Sequence, residues 1–168
     1  MEDIRVFLAH AVELERESAR RYEELAASMR GDGNATVEKF FRKMAAFSRK
    51  HYAEAMERGG FRRLPALPAN EFQWPDGVSP EQFGWIGVDA MIDVKRALEL
   101  ALDSEQRGQA FYAGIADRST DHEVRVMARE FAAEEAEHVA ELEKWLGRHA
   151  AKTGNSYLES GRNKDLAQ

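Results

Sequence analysis

Apolar residues recur every three or four positions along four separate stretches of the chain, and each stripe is interrupted near its middle by metal-ligand types of residue. A three-four period puts its members on one face of an α-helix, so four such stripes predict four amphipathic helices facing a common core. The first stripe reads Leu8, Ala11, Glu15, Tyr22, Met29, and the second Val37, Phe41, Met44, Ser48, His51, Ala55. The third reads Met91, Leu98, Leu102, Glu105, Tyr112, Ile115, and the fourth Val124, Ala128, Phe131, Glu135, His138, Leu142, Trp145. The fold class these stripes predict is all-α, a four-helix bundle.

Turn and capping residues set the boundaries. The first helix spans about 2–30 and stops at Gly31-Asp32-Gly33; the second runs from about Thr36 to Arg58 and stops at Gly59-Gly60. Residues from about 59 to 80 hold all four prolines. Antiparallel neighbours need only a few connecting residues, so a crossover of about 59–85 suits helices that run parallel. Ser79-Pro80-Glu81-Gln82 has the order of a helix start, predicting a third helix to about Arg118 with a break around Gly84–Gly87. Thr120-Asp121-His122-Glu123 predicts the start of a fourth helix that reaches Gly147 or beyond. The bundle then occupies 1–150, and 151–168 is expected to be a polar tail, loose or docked on a partner.

The two halves resemble each other. Glu15 to Tyr22 lies over Glu105 to Tyr112, each segment running on to an alanine, Ala26 or Ala116. Met44 to His51 lies over Phe131 to His138, which sets Ser48 opposite Glu135. Two helical hairpins joined by a crossover make a pseudo-symmetric bundle.

Composition narrows the chemistry. The chain is 43% hydrophobic and 32% charged over 168 residues, a mixture that suits helices with one wet face. No apolar run approaches the roughly 20 residues of a membrane span, and no signal peptide opens the sequence, so a cytoplasmic protein without a membrane partner is expected. With no cysteine, the chain has no disulfide, zinc–thiolate site, iron–sulfur cluster or cysteine nucleophile. A net charge of -6 argues against nucleic acid as a partner.

Three glutamates on core-facing stripes need compensation, because an unpaired buried carboxylate costs several kcal/mol. A dication supplies it, and carboxylate with imidazole suits iron, manganese or zinc. Glu135 and His138, three residues apart, sit one helical turn apart on one face. Facing them from the other stripes are Glu105, Glu15 and His51.

This pattern resembles the rubrerythrin-like branch of the ferritin-like superfamily from the first helix through the fourth. The resemblance implies a ferritin-like bundle in which glutamates of the first and third helices join a Glu-x-x-His on the second and fourth to bind two irons. By that resemblance Glu15 and Glu105 are the first- and third-helix ligands, Glu135 and His138 the fourth-helix pair, and His51 the second-helix histidine. The sequence departs from the pattern at Ser48, where the family has the glutamate that bridges the metals. Four glutamates balance two dications; Glu15, Glu105 and Glu135 leave one positive charge in excess. Either a hydroxide or another anion restores neutrality, or the site holds one metal on Glu105, Glu135 and His138. The rubredoxin-like module of full-length rubrerythrins is also missing, so a redox cycle would need an external electron donor.

The function expected from the resemblance is a non-haem protein that binds iron, one or two per chain, with manganese or zinc as alternatives, and reacts with peroxide or dioxygen. Two other readings stand beside it: metal binding or iron handling without catalysis, and a helical interaction module that has lost the chemistry. A homodimer is expected by the same resemblance. Outside the cluster, His10, His122 and His149 read as surface or capping residues, and Glu13, Glu17 and Glu134 as solvated charges. Tyr22, Tyr112, Phe40, Phe47 and Trp145 read as packing aromatics, and Trp74 and Trp85 as pins holding the crossover on the bundle.

Overall fold

The computed structural model describes residues 1–31, 33–65, 67, 72–74, 77, 79–80 and 92–162, with side chains as far as Lys152. Four helices make up the fold: α1 Ile4–Gly31, α2 Ala35–Arg58, α3 Val94–Arg118 and α4 His122–Arg162. No strand occurs among the described residues. The closest pairings are α1 with α2 and α3 with α4, the two expected hairpins.

The core is two apolar clusters with a polar layer between them. One gathers Leu25, Met29, Phe41, Met44, Leu98 and Leu142; the other gathers Phe7, Leu8, Ala55, Tyr112, Ile115 and Phe131. Every helix contributes to both clusters and crosses from one to the other at its own acid, serine or histidine. α2 and α3 both begin beside the first cluster, so they run parallel, and the long crossover between them follows from that direction.

Helix ends follow capping chemistry, with three departures from the expected limits. The α3 helix begins at Val94, where the Asp93 carboxylate accepts the Arg96 N–H at 2.8 Å. Asp93 thus supplies the side-chain oxygen that the first turn requires. The expected start at Ser79-Pro80-Glu81-Gln82 is not the start of this helix; 81–91, with Gly84, Trp85, Gly87 and Met91, lie outside the described residues. At α4 the cap is Asp121, which accepts the Val124 N–H at 2.8 Å, and not Thr120. Thr120 gives its N–H and hydroxyl to Glu2, 2.9 and 2.7 Å away, and these bonds hold the Glu2 carboxyl below its ordinary pKa. Its other end also differs, since α4 continues to Arg162 and makes helix of 151–162, which had been expected as tail.

The crossover is anchored on a histidine that charge patterning misplaces. His10 is fully buried, not at the surface. Its Nδ1–H donates to the Val6 carbonyl at 2.7 Å, and its Nε2 accepts the Gln73 N–H at 2.8 Å. Phe72, Trp74 and Phe111 pack around the ring, so Trp74 does sit against the bundle. Burial holds His10 below its ordinary pKa, against the raising effect of the Val6 bond. The imidazole is therefore neutral, as its acceptor role at Nε2 requires. Glu17 is likewise buried, with Arg20 at 3.6 Å, because α1 is enclosed on more sides than one apolar stripe conveys.

Replacing His10 by leucine keeps the volume but leaves the Gln73 N–H without its acceptor. The expected loss is about 1–3 kcal/mol, read as a lower urea midpoint, with Trp74 fluorescence reporting a loosened crossover.

Candidate metal centre

The polar layer brings all five predicted residues into one region. Glu105, Glu135, Glu15, His138 and His51 are 2%, 4%, 6%, 8% and 9% exposed. The structure resolves them into two subsets. On the α3–α4 side, Glu105, Glu135 and His138 each offer a ligand atom, and the three atoms lie within 4.8 Å of one another. His138 Nδ1 donates to Glu105 Oε2 at 3.1 Å and lies 3.6 Å from Glu135 Oε2. Glu105 and Glu135 also share a hydrogen bond, and Tyr22, an aromatic of α1, donates its hydroxyl to the other Glu105 oxygen.

On the α1–α2 side the pairing is simpler. His51 Nδ1 lies 3.7 Å from Glu15 Oε1, and its Nε2 faces Glu134 at 3.9 Å. Ser48 is buried and hydrogen-bonded to Ser18 at 3.0 Å, so two hydroxyls stand where the pseudo-symmetric counterpart of Glu135 would reach in. The His51 and His138 rings stack across the layer with centroids 5.4 Å apart and planes 17° from parallel.

The protonation of these groups follows from burial and proximity. Burial raises the Glu15 carboxyl above its ordinary pKa, outweighing the facing His51. For Glu105 burial also pushes upward, but hydrogen bonds from Glu135, His138 and Tyr22 prevail and hold it below the ordinary value. Burial alone would lower both histidines; the carboxylates of Glu15 for His51 and of Glu105 for His138 raise them instead. The facing carboxylates therefore favour the protonated form of both imidazoles, that of His138 within the three-residue cluster among them.

Among the described residues Glu15 and Glu105 are matched by imidazole and phenol and not by lysine or arginine, so their charge is held by groups that can give up a proton. Two carboxylates and an imidazole are a donor set for first-row dications. Such ions bond these donors at about 2.0–2.2 Å, placing ligand atoms up to about 4.4 Å apart. A cluster already within 4.8 Å fits that set with small adjustment.

Comparison with known proteins agrees with this architecture. A sequence profile described as ferritin-like domain matches residues 5–150. The chain belongs to the ferritin-like family. This ferritin-like protein is also similar to an uncharacterised conserved protein from Magnetospirillum magnetotacticum MS-1, known from a crystal structure. The two are 40% identical, with a TM-score of 0.69, over 84% of this chain and 92% of that one. No curated protein matches the chain in sequence.

Sequence reasoning passed over Gly108. Glycine within a helix is unfavourable by roughly 0.5–1 kcal/mol relative to alanine. Here a Cβ would lie 3.3 Å from Glu135 Oε1 and 3.4 Å from its carboxyl carbon. The signal was present in the spacing, since Gly108 sits one turn after Glu105 on the same face of α3.

Gly108→Ala is expected to weaken metal binding by about 10-fold, the lower end of what supporting-residue changes cost, while apo stability does not fall. Titration with Co(II) and thermal melting of the apo protein separate the two effects. A second expectation follows from the His138 proton. Below the raised pKa of His138 a metal must displace the imidazole proton, so apparent affinity rises as pH rises through that value. Proton release on Zn(II) addition, followed with a pH indicator, checks the sign.

Proposed function

We propose that this protein is a rubrerythrin-like metal-binding member of its family that holds one dication per chain on Glu105, Glu135 and His138. Iron is the first choice, with manganese and zinc suited to the same donors. The observation that carries this reading is the convergence of those three side chains while Glu15 and His51 face each other. Charge supports it. One dication with two carboxylates is neutral, and a Glu15 carboxylate beside a protonated His51 is neutral by itself. The excess positive charge of a two-metal site never arises.

The surrounding residues act on the donors. Tyr22 fixes one Glu105 oxygen and leaves the other toward His138. Gly108 leaves space for the Glu135 carboxyl. The apolar clusters on both sides keep bulk water from the layer. A redox-active ion held there would supply electron transfer to peroxide or dioxygen, with electrons arriving from outside this chain. Binding without turnover is the reading Ser48 favours. A dinuclear centre is the second reading, supported by the stacked His51 and His138 rings that join the two subsets.

Metal analysis of protein purified without chelator decides among these. One dication per chain is expected, lost in Glu135→Ala, with stoichiometry rising toward two in Ser48→Glu. Two per chain in the native protein would establish the dinuclear reading, and peroxide-dependent oxidation of the reduced protein would then be tested directly. No metal after reconstitution with iron, manganese and zinc would overturn the proposal.

A further inference from the structure

The centre lies within a closed layer, so an ion needs a path to it. Glu105 and its phenol partner Tyr22 are buried, and so is the Ser18–Ser48 pair. Two side chains that touch the histidines behave differently. Phe47 of α2 is 36% exposed, yet its ring stacks on His138 with centroids 5.9 Å apart and planes 19° from parallel. The Glu134 side chain of α4 is 38% exposed and its Oε2 lies 3.9 Å from His51 Nε2.

Both residues lie on the seam between α2 and α4, where the two imidazoles come nearest the surface. Phe47 is a large apolar ring whose one face lies on the His138 imidazole while Lys43 stands 5.2 Å over the ring, so a single side chain separates that histidine from solvent. Glu134 is distinguished by its partner. Nearby Glu130 and Glu54 are matched by Arg58 at 2.7 Å and Lys50 at 3.2 Å. Among the described residues Glu134 has no lysine or arginine within ion-pair distance; it shares the field of Arg58, whose closer partner is Glu130, and faces a histidine of the centre. A half-exposed carboxylate held at the mouth of a low-dielectric layer by an imidazole, which can give up its proton, offers an arriving cation a first oxygen ligand.

We infer that the α2–α4 seam is the route by which a dication enters the centre, with Glu134 as the transient first ligand and Phe47 as the cover. The inference rests on the metal-binding reading above and concerns the path, not the resident ligands. The ion meets Glu134 in water, sheds hydration beside His51, and passes to the Glu105, Glu135 and His138 donors as Phe47 moves aside. No atom of Glu134 belongs to the final set, so its loss changes rate and leaves occupancy unchanged.

The test follows Co(II) uptake by apo protein in a stopped-flow spectrometer, with occupancy measured at equilibrium. Glu134→Gln is expected to slow uptake about 10-fold at low ionic strength, at the lower end of electrostatic steering effects. Its final occupancy should equal that of wild type, and its rate should depend less on salt. Glu143→Gln, the same charge change elsewhere on α4, should leave the rate near wild type. Phe47→Ala should speed both uptake and chelator-driven release. Wild-type uptake rates in both Glu134→Gln and Phe47→Ala, with full occupancy, overturn the route and leave the centre standing. Failure of wild type to bind any Co(II) overturns both.

Discussion

Three glutamates and two histidines share a volume from which water is nearly excluded, and they must neutralise one another or a bound cation. Buried charge without a partner costs more than most other features of a domain this size can offset. The bundle answers by confining the polar groups to one layer and closing it with apolar side chains at both ends. The change from apolar to polar and back occurs in all four helices, so the layer also fixes their mutual register. A helix slipped by one turn would place a glutamate against leucine and phenylalanine.

Within that layer the pseudo-symmetry of the halves is broken in a directed way. The α3–α4 half keeps Glu105, Glu135 and His138 together, and Gly108 lacks a Cβ that would press on Glu135. The α1–α2 half keeps Glu15 and His51 but has hydroxyls at Ser18 and Ser48. Such hydroxyls hydrogen-bond to each other and carry no charge, so they lower the electrostatic demand of that half. The two halves thus differ in what they offer: one gathers two carboxylates and an imidazole within 4.8 Å, the other pairs one carboxylate with one imidazole beside two hydroxyls.

Much of this was legible in the sequence because helical period and residue chemistry are local properties. The stripes predicted the bundle and the five acidic and histidine residues, and the concentration of prolines marked the crossover. Depth was not legible. His10 and Glu17 alternate with apolar residues much as surface groups do, and only the chain packed over them shows that they are enclosed. Caps are only partly legible because competing candidates stand side by side: in Thr120-Asp121-His122-Glu123 it is Asp121 that accepts the Val124 N–H, while Thr120 turns to Glu2, over a hundred residues away in sequence. Gly108 was overlooked because a single helical glycine carries meaning only once its neighbour across the helix pair is known.

The same features that hold the layer together also limit how it can communicate with solvent. Apolar clusters close the bundle along its axis, so opening either end would expose the larger part of the core. At the seam between α2 and α4 a single half-exposed ring, Phe47, lies over the buried His138. A bundle that buries its acids at mid-height therefore favours a lateral opening over an axial one, because the lateral opening exposes one ring and the axial one exposes a cluster.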